Sequence, residues 1–272
     1  MTAFPDSNAL DLEFDRGWLT VWFNEPAIRN PLTAERAGAL LALCAHLQDR
    51  PDVRGVTFRG RGGVFCAGGD LRAFGRIFGG GEDPLEAVLR LSREAGALFD
   101  AVDALPQPTV MAVEGAALAG GFGLACLGDV VIAEESAKFA LTEVRIGLTP
   151  AQIAPFVARR IGPARARRLM LLGETLRGVE AAAAGLVDEL VTGAAGVDAA
   201  LARIRAHALG CAPGAVAETK ALLRAPRGAS REQEIEAAAR SFAGALLSEE
   251  GREGVAAFVQ KRKPAWAEDP KE

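Results

Sequence analysis

Gly60-Arg61-Gly62-Gly63-Val64-Phe65-Cys66-Ala67-Gly68-Gly69-Asp70-Leu71 and Gly115-Ala116-Ala117-Leu118-Ala119-Gly120-Gly121-Phe122-Gly123-Leu124 are two glycine-rich turns, each set after a predicted strand and before a predicted helix. Neither fits G-x-G-x-x-G or the P-loop lysine pattern, so a nucleotide-phosphate cradle is a poor reading. Small residues at a strand-to-helix turn let a ligand approach the backbone, and the first N–H groups of the following helix point outward without partners. One such turn reads as close strand–helix packing. Two of them, facing each other, make a pair of backbone donors suited to a developing oxyanion.

Working outward, residues 11–24 read as a hairpin, because β-formers flank the turn tripeptide Asp15-Arg16-Gly17. A helix capped by Thr33 is predicted to Gln48, and strands over Val53–Arg59, Val110–Val113, Val130–Ala133 and Val187–Val191. Helical stretches lie between them near 84–104, 119–128, 149–161, 163–172 and 178–184, an alternation that predicts an α/β core. From about residue 196 the pattern is helical only: Val197–Leu209, Gly214–Leu223, Arg231–Leu247 and Glu249–Lys261. The expected organisation is a core over 1–195 and a helical oligomerisation region over 196–272. Gly79 to Pro84 reads as a mobile loop.

Composition removes several functions. Half of the 272 residues are hydrophobic and the net charge is -4, which predicts a globular protein with no electrostatic reason to bind nucleic acid. The arginines between Arg159 and Arg168 fall at helical spacing and read as a solvated face or subunit contact. Met1 to Leu10 has no signal-peptide pattern and no long uncharged apolar run follows, so a cytoplasmic protein off the membrane is expected. Cys44, Cys66, Cys126 and Cys211 form no C-x-x-C pair and read as buried thiols rather than a disulfide framework or metal site. Only His46 and His207 are present and Tyr is absent, so histidine triads, zinc motifs and tyrosine acid/base schemes lose their support.

Four ordered segments resemble the enoyl-CoA hydratase/isomerase, or crotonase, superfamily. Arg29-Asn30-Pro31-Leu32 is similar to its R-N-A-L segment and Phe65 to Leu71 to F-x-A-G-x-D-[IL]. Gly115 to Asp129 is similar to the glycine-rich helix opening, and Phe139 to Pro150 to F-x-x-P-E-x-x-x-G-x-x-P. The resemblance covers nearly the whole chain. It implies an α/β fold made of a spiral of ββα units with a C-terminal helical region, assembled as a homotrimer or dimer of trimers.

It also implies site residues. The N–H groups of Ala67 and Gly120 fall where the family holds the thioester oxygen, and Glu143 falls on its general acid/base. Arg29, Gly68, Asp70, Leu71, Arg72 and Gly123 flank the region that grips substrate and coenzyme A, and Phe258 and Lys261 match positions that close over adenine. From the residues alone, the Asp70 carboxylate suits a helix N-cap and the terminal segment an amphipathic helix. No cofactor or metal is implied, since coenzyme A is part of the substrate.

Relatives that hydrate simple enoyl thioesters use two glutamates, whereas this chain has Gly123 at the first position and Glu143 at the second. Glycine there is similar to the bacterial 3-methylglutaconyl-CoA and isohexenylglutaconyl-CoA hydratases, as is the run from Glu143 to Phe156. The expected reaction is therefore addition of water to a branched, carboxylate-bearing enoyl-CoA, of leucine or acyclic-terpene degradation by this resemblance. Room beside Gly123 is expected to admit a second substituent, and Arg72, Arg76 or Arg145 to pair with the distal carboxylate. The alternatives are a Δ3,Δ2-enoyl-CoA isomerase and a non-catalytic acyl-CoA- or RNA-binding paralogue. Among apolar neighbours, Glu143 is predicted to titrate above an ordinary glutamate, unless an ion pair with Arg145 holds it down.

Overall fold

The structure, a computed structural model, describes residues 4–77, 79, 83–224 and 230–267. Strands β1 (Leu10–Asp15) and β2 (Trp18–Phe23) form the expected antiparallel hairpin. Its two central residues, Arg16 and Gly17, have φ of 44° and 79°, the left-handed pair that matches the twist of the flanking strands. β3 (Gly55–Gly60), β4 (Thr109–Val113), β6 (Val130–Glu134) and β9 (Glu189–Val191) add in parallel, giving a six-stranded sheet ordered β1-β2-β3-β4-β6-β9. β3 and β4 are buried along their whole length, although β3 alternates in sequence, because its polar side chains find partners: the Trp18 indole donates to Thr57, and Arg59 donates to Glu114 and Asp198.

A second sheet was not expected from the sequence. β5 (Ala116–Leu118), β7 (Lys138–Ala140) and β8 (Thr175–Arg177) form it, and isolated bridges Cys66–Ala117 and Leu32–Gly69 carry the same ladder back to earlier turns of the chain. Each pass of the chain thus gives one strand to the large sheet and then a short piece to the small one, the spiral the resemblance implied. The core lies between them, with Phe23, Phe58, Phe65, Phe122 and Phe139 fully buried. Three-residue, alanine-rich strands carry no period-two signal, so only the long-range pairing reveals them.

Helices cover the core. α1 (Ala34–Leu47) starts at Thr33, whose side chain accepts from the Arg36 N–H. α2 (Leu71–Ile77) follows the first glycine turn, and α3 (Pro84–Asp103) is capped by Asp83. α4 (Gly120–Ala125) follows the second glycine turn, and α5 (Ala154–Ile161) begins later than expected, after a turn from residue 151. α6 (Pro163–Leu172) and α7 (Gly178–Ala183) lead to β9. The arginines of α5 and α6 mostly line a solvated face, as expected, with Arg159 paired to Asp103, Arg160 to Asp188 and Arg168 to Glu174.

α8 (Gly193–Leu209), α9 (Pro213–Arg224), α10 (Arg231–Leu247) and α11 (Glu249–Val259) complete the chain. α8 sets Val197 and Ala200 against Trp18, Val110, Ala112 and Ile132 of the large sheet. α10 buries nothing, and Ile235, Phe242 and Leu247 stand exposed on it. Among the described residues no helix is long and apolar enough to cross a membrane. Cys44, Cys66 and Cys126 are buried as expected, but Cys211 is exposed, because the α8–α9 corner that carries it lies at the surface.

Candidate active site

The first glycine turn is held from both sides. Toward β5, Cys66 N–H donates to the Ala116 carbonyl at 3.0 Å and Leu118 N–H to the Cys66 carbonyl at 2.9 Å. Toward the first pass of the chain, Ala67 N–H donates to the Arg29 carbonyl at 3.0 Å and Leu32 N–H to the Gly68 carbonyl at 2.7 Å. The expectation that Ala67 supplies an oxyanion donor does not fit this geometry, since its amide already has an acceptor. The next amide that faces away from Leu32 belongs to Gly69, and like Gly120 it donates to no acceptor among the described residues. The alternation of a bridged strand at Leu32–Gly69 is the signal that identifies Gly69, and it is invisible until the bridge is known.

Glycine at 68 is required by this contact. Its φ is +90°, and a Cβ there would lie 2.8 Å from both Ala119 Cβ and the Leu118 carbonyl and 3.3 Å from the Gly120 nitrogen. The two turns therefore touch backbone to backbone. On the other side Ala119 adopts φ 48° and ψ -118°, a region that residues with a Cβ rarely occupy. Such strain persists only where the surroundings impose it. Here Ala119 N–H donates to the Ala140 carbonyl at 2.8 Å, and the strained residue aims the next amide, that of Gly120.

That bond also brings in the carboxylate. Leu118 pairs with Ala140 across β5 and β7, so Glu143 enters the site three residues after the strand end that Ala119 touches. A short helical turn over Glu143–Ile146, closed by Gly147 at φ 75° and by the bond from Leu148 N–H to the Glu143 carbonyl, fixes its backbone. Its Oε2 is buried without a hydrogen-bond partner. Burial pushes the Glu143 carboxyl above its ordinary range, partly offset by a hydrogen bond from its own backbone. The alternative ion pair with Arg145 is not formed.

Gly123 does not open the room expected of it. A Cβ at this position would overlap Ile153 Cγ2 and lie 2.8 Å from Ile153 Cβ and 3.3 Å from Phe99 Cε1. Both side chains are buried. Beside Gly120, one turn earlier on the same face of α4, a Cβ would meet Leu32 Cδ1 at 3.0 Å and Phe99 Cζ at 3.8 Å. Leu32, Phe99 and Ile153 thus form an apolar wall that sequence reasoning missed, because its members come from three separate passes of the chain.

The remaining expected residues divide into two groups. Arg29 stands exposed in a left-handed conformation, φ 66°, next to the fully buried Asn30. Asn30 accepts from Glu25 N–H at 2.8 Å and donates to the Arg61 and Val64 carbonyls at 3.0 and 2.6 Å, clamping the corner to the first glycine turn. The buried Arg36 donates to the carbonyls of Ala9 and Pro31 and to Glu25, holding the same corner from behind. Asp70 accepts from Arg72 N–H at 3.0 Å, the capping role expected for it, and Leu71 and Arg72 point into solvent. The side chain of Arg76, and Gly80 to Glu82 of the expected loop, lie outside the described residues.

Phe258 and Lys261 are not brought to this site by any hydrogen bond or ion pair among the described residues. They belong to α11 and its end, which is seated by Glu250 on the Gly214 N–H and by Trp266 on the Gly210 carbonyl. Phe258 is 85% exposed. Among the described residues no cluster of three His, Cys, Asp or Glu side chains could hold a metal ion.

The family model for enoyl-CoA hydratase/isomerase matches residues 13–269. The solved structure of Pseudomonas aeruginosa AtuE is 44% identical, superposes with a TM-score of 0.91, and covers 96% of this chain and 100% of its own. A Thermus thermophilus protein that carries an enoyl-CoA hydratase name is 37% identical over 259 residues, 94% of this chain and 100% of that one. A mevalonyl-coenzyme A hydratase of Beauveria bassiana is 32% identical over 265 residues, 91% of this chain and 90% of its own. With the spiral fold, the two facing glycine turns and a half-buried carboxylate on one seam, this chain belongs to the enoyl-CoA hydratase/isomerase family.

Proposed function

We infer that the protein is a hydratase that adds water across the α,β double bond of an enoyl-CoA. The observation that carries this reading is the lone buried oxygen of Glu143, unpartnered, beside a seam where the Gly69 and Gly120 amides are unpaired. The two amides hold the thioester oxygen, draw electron density from the double bond and make the β-carbon electrophilic. Glu143 takes a proton from water, the oxygen bonds to the β-carbon, and the enolate forms against the two donors. The carboxyl then returns a proton to the α-carbon. Each donor aimed at the enolate oxygen contributes about 3 kcal/mol in a water-poor site. A raised Glu143 pKa suits both halves of this proton transfer.

The substrate we propose is 3-branched and carries a distal carboxylate, of the 3-methylglutaconyl-CoA or isohexenylglutaconyl-CoA type. Its support is the motif likeness, the apolar wall for a branch, and Arg72 and Arg145, neither of which has an ion-pair partner among the described residues. The mevalonyl-coenzyme A hydratase among the relatives is consistent with it. Arg29 is proposed to meet coenzyme A phosphate, and Phe258 and Lys261 to act within a trimer-based assembly built by residues 196–272.

Isomerisation of a Δ3 to a Δ2 double bond is the second reading, favoured by Glu143 being the one carboxylate among the described residues that this reading puts on the seam, since Ile153 fills the Gly123 position. Incubation in heavy-oxygen water separates the two. Hydration places solvent oxygen in the product, and isomerisation leaves it free of label.

A further inference from the structure

We propose that Ile153 determines the acyl specificity of this site, standing where a side chain at 123 would stand and presenting an apolar surface to the third carbon of the acyl chain. The proposal rests on the acyl-CoA reading above and adds to it the residue that selects the branch. Gly120 and Gly123 share one face of α4, three residues apart. With the thioester oxygen at the Gly120 amide, the acyl carbons run along that face toward Gly123. The Phe99 ring spans both glycines, with Leu32 beside the first and Ile153 over the second.

The wall is fixed rather than adjustable. Ile153 is 4% exposed and Phe99 3%, so neither moves into solvent at low cost. The residue before Ile153, Gln152, donates to Ser92 on α3 at 3.0 Å, and its Oε1 lies 2.7 Å from where a Cβ on Gly96 would be. Ile153 itself starts α5, its carbonyl accepting from Val157 N–H at 3.0 Å. The start of α5, which carries Ile153, is therefore tied by Gln152 to α3, the helix that carries Phe99. Their chemistry is uniform: no donor or acceptor side chain projects from this wall, so the β-carbon faces Glu143 on one side and hydrocarbon on the other. A hydrogen at C3 leaves that surface unfilled, and a methyl fills it.

Calorimetric binding of two unreactive saturated esters, butyryl-CoA and isovaleryl-CoA, tests this without any turnover, since they differ by one methyl on C3. The wild-type chain is expected to bind isovaleryl-CoA about fourfold more tightly, the scale of one buried methyl. Ile153→Ala should abolish that preference while changing the butyryl-CoA affinity less than about twofold, and the milder Ile153→Val should reduce it. Gly123→Ala should weaken both esters, and adding Ile153→Ala to it should restore them. An unchanged ratio in Ile153→Val and Ile153→Ala overturns the assignment of Ile153 alone. If neither ester binds the wild-type chain, the acyl-CoA reading falls, and the Ile153 proposal with it.

Discussion

Ala119 donates its amide hydrogen to the Ala140 carbonyl at 2.8 Å, and this bond sets the turn that carries Gly120 beside the strand that delivers Glu143. The Gly120 amide and the Glu143 carboxylate are thereby placed by one short parallel ladder, not by loops free to vary independently. The strained φ of 48° at Ala119 belongs to the same arrangement.

Replacing Glu143 by Gln should keep the fold and acyl-CoA binding and lower kcat by at least ~100-fold, the scale of general acid–base catalysis. Calorimetry with a CoA ester and steady-state kinetics on an enoyl-CoA panel measure the two halves. Near-normal turnover removes Glu143 from the mechanism.

The same carboxyl makes a stability prediction whose sign follows from burial. Its folded-state pKa is raised, so the native state holds the proton to higher pH than the unfolded chain, and ionisation in place costs stability. That cost is absent below the unfolded value, grows as pH rises toward the folded value, and is complete above it. Glu143→Gln cannot ionise. Its melting temperature relative to wild type should therefore improve as pH rises above the ordinary glutamate range and then level off, and a difference that shrinks with rising pH contradicts the burial argument.

At the two touching turns, opposite changes should have opposite effects. Ala119→Gly relieves a conformation costing 1–3 kcal/mol and, after the added chain entropy of glycine, should stabilise the protein by roughly 1 kcal/mol with little change in kcat. Gly68→Ala forces a Cβ to 2.8 Å from Ala119 Cβ and the Leu118 carbonyl, separating the two donors. We expect its kcat to fall by ~100-fold or more, the scale of a lost oxyanion donor. Thermal melts and kinetics on both variants check the pair.

What the sequence made legible follows from length and locality. The hairpin, α1 with its Thr33 cap and the parallel alternation could be read because their signals lie within one segment. β5, β7 and β8 could not, because strands of three residues are defined by partners 20 or more residues away. The same limit explains the site. Glu143 and Gly120 carry motif signals of their own. The exchange of Ala67 for Gly69 depends on which amide the Arg29 carbonyl takes, and the filling of Gly123 depends on where Ile153 packs. Neither is encoded within its own segment.

Assembly should be visible in the C-terminal helices. Phe242 is 70% exposed on α10 and Phe258 85% on α11, with Ile235, Leu247 and Val259 also uncovered. Large apolar side chains left exposed in this number suit burial between copies of the chain. Light scattering is expected to give a trimer or a dimer of trimers at micromolar concentration, and Phe242→Glu to dissociate it. A wild-type monomer refutes the expectation.

The last prediction concerns what the site selects. A 3-substituted glutaconyl-CoA offers two groups that crotonyl-CoA lacks: a branch for the wall of Leu32, Phe99 and Ile153, and a carboxylate for an arginine. Arg145 lies two residues past Glu143, with its Nε 2.9 Å from where a Cβ on Gly173 would be, and Arg72 opens α2 beside the Asp70 cap. Without ion-pair partners among the described residues, each can meet an incoming carboxylate without first breaking a bond. We expect kcat/KM for the 3-methyl or isohexenyl glutaconyl ester to exceed that for crotonyl-CoA by more than ~100-fold, about 2.7 kcal/mol. Arg145→Gln or Arg72→Gln should lower the first value at least ~10-fold and leave the second unchanged, the signature of a carboxylate contact as opposed to a general loss of structure. Gly123→Glu should abolish activity on both esters, because its side chain must displace Ile153 before it can reach substrate. Crotonyl-CoA turned over as well as the branched esters would sink this substrate assignment and leave membership of the family untouched.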